Sequence, residues 1–158
     1  MKNIKTKSHA FGKDVYYLGK GKDGDYYWLE ESKFDCGWYW GLRYVETYEQ
    51  NRLPEKARDI SSHSHFDSMF FNQKHDAHTE FKAFFESTPL SDKEIWTLCE
   101  LMKSAYIFRE YSDTIYRGGA HYTNNPCADI IKNNDEYDRI NKIVLPAIFE
   151  EIYKLFSE

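Results

Sequence analysis

The chain is short of the residues that mark many familiar protein classes. It has three cysteines, Cys36, Cys99 and Cys127, far apart and without a CxxC pair, so it lacks the material for a disulfide framework or a cysteine-built zinc ribbon. Reduced thiols in a cytoplasm are the expectation. No run approaches the roughly 18 consecutive apolar residues of a membrane-spanning helix. The opening MKNIKTKSH is basic but has no apolar stretch of the kind an export signal needs. The formal net charge is only −5 and both signs are mixed along the chain, which leaves neither the basic footprint of a nucleic-acid binder nor the lopsided acidity of a DNA mimic. GxSxG, HExxH, a Walker loop and the kinase signature set are all missing.

Aromatic residues are plentiful. They make up 18% of the chain, with 13 tyrosines and 11 phenylalanines, while Ala, Leu and Val are scarce. An interior built this way is packed largely by rings, and a phenol needs water or a partner for its hydroxyl, so some ring faces are expected to lie open to another molecule. At 158 residues the chain reads as one α+β domain over 1–158, strand-rich over 11–50 and helical over 65–157.

Val15–Leu18 and Tyr26–Leu29 are β-prone and flank Asp23-Gly24, a strong turn pair, which predicts a hairpin. The ring-dense segment from Trp38 to Tyr48 predicts a third strand or a bent strand pair, with Gly41 at a bulge or bend. Glu49 to Ser62 turns polar around Pro54 and reads as a loop. Asp76 to Glu86 predicts a helix with a stripe of Phe81, Phe84 and Phe85. Ser91-Asp-Lys-Glu94 is a capping box opening the central helix. That helix is expected to turn Ile95, Leu98, Leu101, Met102, Ala105, Tyr106, Ile107 and Phe108 inward and to run to Arg117, where Gly118-Gly119 stops it. Pro126 starts a short helical turn through Ile131. A last helix from Asp135 to Phe156 is apolar at Tyr137, Ile140, Val144, Ile148, Ile152 and Leu155, and Pro146 predicts a kink in it. Strands first and helices second give a small N-terminal antiparallel sheet of three to four strands packed on a C-terminal layer of three to four helices.

Two constellations carry chemical interest. His63, His65, His75 and His78 are spaced as HxH and HxxH, each able to turn two imidazoles to one side, with Asp67 and Asp76 nearby as carboxylates. Such a set suits zinc, manganese or iron, and an open coordination position would activate water. The same histidines also serve as ordinary caps and loop-end hydrogen-bonding groups. In Tyr116-Arg117-Gly118-Gly119-Ala120-His121-Tyr122, the glycine pair can bring Arg117 and His121 toward one anionic ligand, although a plain helix C-cap explains the pattern as well. Arg109, Glu110, Asp113 and Arg117 read as a solvated ion-pair face, and Cys36 as a small buried hydrophobe.

The leading functional expectation is a cytoplasmic protein-binding module without a cofactor, an inhibitor or adaptor of the kind found among phage and mobile-element counter-defence proteins. Trp38, Trp40 and Tyr44 would be its anchors, with Arg117 and His121 adjoining. The alternative is a metal-dependent hydrolase or nucleotide-processing enzyme holding zinc or manganese on His63, His65, Asp67, His75 and His78.

Overall fold

Strand pairing begins at a tight turn. A computed structural model describes residues 5–7, 14–33, 39–47, 49, 58–59, 76–120 and 135–157. Strands β2 (Asp14–Gly21) and β3 (Tyr26–Lys33) form the expected hairpin. Gly24 sits at φ +91, a value that favours glycine. Asp23 stabilises the turn by accepting from the Asp25 amide at 3.1 Å and from the Tyr27 hydroxyl at 2.5 Å. β4 (Tyr39–Thr47) pairs antiparallel with β3 along its whole length. Ser32 stands opposite Gly41 and Lys33 opposite Tyr39, so Trp40 is the extra residue of a bulge beside Gly41.

Among the described residues three short strands extend the sheet. β1 (Lys5–Lys7) pairs with the first half of β2, and β5 (Arg58–Asp59) pairs with Arg43 and Tyr44 inside the stretch that reads as loop. β6 (Phe85–Ser87) lies against the last residues of β2. It follows α1 (Ala77–Phe84) directly, so the helix expected through Glu86 ends two residues early. Phe85 turns extended and its amide closes the final turn on the Phe81 carbonyl. The amide of Lys22 then takes the Phe84 carbonyl at 2.8 Å, and sheet pairing replaces the next helical turn.

A second bulge makes this junction. Tyr17 pairs with Trp28 and Gly19 with Tyr27, leaving Leu18 as the extra residue of β2. The Leu18 carbonyl accepts from the Thr88 hydroxyl at 2.7 Å. Gly19 has φ +151, and a Cβ there would lie 2.4 Å from the Ser87 carbonyl oxygen. Only glycine lets β6 approach so closely.

Side chains alternate across the sheet. Leu18, Tyr27 and Leu29 join the helices in the larger core, while Val15, Tyr17, Trp28 and Val45 form a separate cluster on the other face. Among the described residues the helical layer holds α1, α2 (Asp92–Ala120), α3 (Asp135–Arg139), a π-helical turn over Ile140–Val144, and α4 (Leu145–Lys154). The capping box forms as expected: the Glu94 amide donates to Ser91 Oγ at 3.2 Å and the Ser91 amide to Glu94 Oε1 at 2.9 Å. α2 continues through Gly118-Gly119 to Ala120, past the expected stop, because helical hydrogen bonding outweighs the modest propensity cost of glycine.

At Pro146 the expected kink takes the form of a π turn. Leu145 donates to the Ile140 carbonyl five residues back, which accommodates the loss of an amide at the proline. The wider turn consumes one extra residue and rephases everything after it. Leu145, Phe149 and Phe156 are therefore buried with Ile152, whereas Val144, Ile148 and Leu155 are only half-buried. Buried Asn141 steadies this turn, donating to Ser112 Oγ of α2 at 2.7 Å and to the Tyr137 carbonyl at 2.9 Å.

Candidate protein-binding face

α2 presents two unlike faces. Ile95, Leu98, Cys99, Met102 and Ala105 are buried against the sheet and α4. On the opposite side Trp96 is 53% exposed, Ile107 45% and Tyr111 50%. At about 100° per residue, Trp96 and Ile107 fall within about 20° of each other and Tyr111 within about 60° of Trp96. These three side chains make a row about 22 Å long on one helix. Isolated apolar residues at a surface are ordinary; an aligned row containing an indole and a phenol is informative. Ile107 thus belongs to the outer face and not to the core face on which its sequence neighbours place it.

The first anchor of the row is held from the side. His78 of α1 meets the Trp96 ring edge-on, with centroids 5.3 Å apart and planes 64° to one another. His78 Nε2 lies 3.2 Å from Asp92 Oδ1, and Lys82 Nζ lies 2.7 Å from that same oxygen. The hydrogen bond from Lys82 is the main cause holding the Asp92 carboxyl below its usual range. α1 itself is capped by Asp76, which accepts from the Thr79 amide at 3.3 Å and from its hydroxyl at 2.8 Å. This capping lowers the Asp76 carboxyl too. Trp96 therefore shows half its surface to solvent from a position fixed by a neighbouring helix, and an anchor ordered beforehand loses little entropy on binding.

The residues singled out in the sequence fare differently. Trp38, His63, His65, Asp67, His75 and His121 lie outside the described residues. Trp40 and Tyr44 are placed through the backbone of β4, at the bulge and opposite Leu29, and Arg117 through the backbone of α2; their side chains lie outside the description. His78 is the expected metal ligand whose side chain is described, and its ring engages Asp92 and Trp96. Among the described residues no three His, Cys, Asp or Glu side chains come together as a metal site. Cys99 is buried, and burial pushes its thiol up to about 12. No helix among the described residues is long and apolar enough to cross a membrane.

Trp96 and Tyr111 are not among the binding residues expected from the sequence. The signal was present: once Ile95, Leu98, Met102 and Ala105 define the inner face, positions 96, 107 and 111 project opposite to it. Compared with protein-family models, with curated proteins and with solved structures, the chain matches none.

Proposed function

We propose that this chain is a protein-binding module that acts as an inhibitor or adaptor. The observation that carries the reading is the exposed row of Trp96, Ile107 and Tyr111 on α2. Tryptophan and tyrosine are among the residues that most often dominate interface energies, and a helix face offers them to a partner in fixed relative positions. The small size of the chain, its ring-rich composition and its lack of a catalytic signature fit a counter-defence protein of a phage or mobile element. Trp38, Trp40, Tyr44, Arg117 and His121 remain proposed as further contact residues.

The test is affinity capture from the native host with the parent chain, Trp96→Ala and Trp38→Ala, followed by titration of the purified partner. Loss of at least about tenfold in affinity for Trp96→Ala supports the α2 face. Loss confined to Trp38→Ala moves the interface to the β4 region. Retention by both variants removes the reading. Stoichiometric zinc or manganese in the purified chain, lost on replacing His63 and His65 by alanine, would put a metal-dependent hydrolase in its place.

A further inference from the structure

We infer that the outer face of α2 pairs with the same face of a second copy of this chain, antiparallel, across a twofold axis. This rests on the protein-binding reading and names a partner for that face. The face runs Lys93, Trp96, Glu100, Lys103, Ile107. Steps of three and four alternate along it, which is the a/d spacing of a two-helix seam. In an antiparallel seam each a position shares a layer with a d position of the other helix.

With the axis passing between Leu101 and Met102, Trp96 shares its layer with the partner's Ile107. Glu100 meets the partner's Lys103. Each pairing occurs twice by symmetry, apolar with apolar and each charge with its opposite. Other arrangements fail. A parallel pair sets Glu100 on Glu100 and Lys103 on Lys103. Sliding the antiparallel pair by one heptad in one direction sets Lys93 on Lys103, and in the other Lys103 on Ile107. Like charges in facing layers, or a charge set on an apolar side chain, are disfavoured, so one register satisfies the face.

The residues are available for this pairing. Lys93, Trp96, Glu100 and Ile107 are exposed, and Lys103 is partly so, with its ammonium 3.9 Å from the Glu100 carboxylate of its own helix. Charged layers at the centre fix register at some expense in affinity, so the dimer is concentration-dependent.

Sedimentation equilibrium of the full chain, from dilute solution to about 1 mM, reads the association. The parent is expected to dimerise. Glu100→Lys leaves only lysines in the central layers and Lys103→Glu only glutamates, so each variant alone should self-associate at least about tenfold more weakly. An equal mixture of the two should recover a mixed dimer, because lysine layers then face glutamate layers. Recovery on mixing cannot come from a folding defect in either variant. A parent that stays monomeric, variants that dimerise like the parent, or a mixture that stays monomeric would each overturn the inference. A monomeric parent that still loses its captured protein on Trp96→Ala removes self-pairing and leaves the protein-binding reading intact.

Discussion

The two sides of α2 belong to one helix and carry similar side chains, yet they answer to different demands. Leu98 and Met102 on the inner side are sealed among Leu29, Phe81 and Phe149, where any loss of volume is felt by closely packed neighbours. Trp96 and Ile107 on the outer side keep about half their surface in water. Hydrophobicity alone does not assign a residue to the core, and a large side chain whose removal leaves folding intact is free to be used for recognition.

Substitutions can break this contrast or sharpen it. The largest effect is expected inside: Phe149→Ala should cost about 3–5 kcal/mol and Leu98→Ala about 2–5 kcal/mol in urea unfolding, since both leave cavities at nearly sealed positions. A loss below about 1 kcal/mol at either site would mean that the inner side is loosely packed. Gly19→Ala comes next, at about 1–3 kcal/mol, because a methyl group there meets the Ser87 carbonyl from an unfavourable φ. On the outer side, Trp96→Ala and Ile107→Ser should shift stability by less than about 1 kcal/mol, and an unfolding penalty as large as that of Leu98→Ala would erase the distinction.

Thiol labelling supplies a further check. With Cys36 and Cys127 replaced by serine, Cys99 should resist alkylation at pH 8 in the folded chain, where its raised pKa keeps it neutral and burial blocks access. Rapid labelling under native conditions would show that the inner face opens. The smallest effect concerns the cap of α1. The Asp76 carboxyl is lowered from 3.8 in the folded chain, so its contribution is fully present above that value and is lost as the pH falls through the lower folded value. Amide exchange at Thr79 should accelerate in that acid range, and Asp76→Asn should flatten the dependence.

The parts of the fold legible in the sequence were those set by short-range chemistry. Asp23-Gly24 specifies its turn locally, and Ser91 with Glu94 specifies the start of α2, whatever else the chain does. The order of strands and helices followed from the same signals. What escaped depended on distant partners. Phe85 fits a helical stripe with Phe81 and Phe84, and only the free edge of β2, far away in sequence, draws it into a strand. Ile107 continues an apolar run, and only the direction from which the sheet and α4 approach α2 turns it outward. The row on α2 was equally hidden, because Trp96 stands next to Ile95 and neighbours on a helix point to different sides. The histidine spacings were visible at once, and of these the described residues hold His78 alone, engaged with Asp92 and Trp96.

The π turn between Ile140 and Val144 gives the chain some freedom in length. Removing one residue there would restore ordinary α geometry and, because the wider turn already absorbs one extra residue, leave Phe149, Ile152 and Phe156 facing the sheet. A single-residue deletion at exposed Lys142 or Ile143 should therefore be tolerated better than one inside Leu145–Lys154, where no extra residue is stored. The turn holds a spare residue, and relatives of the chain should differ in length by one here more readily than along the helix that follows.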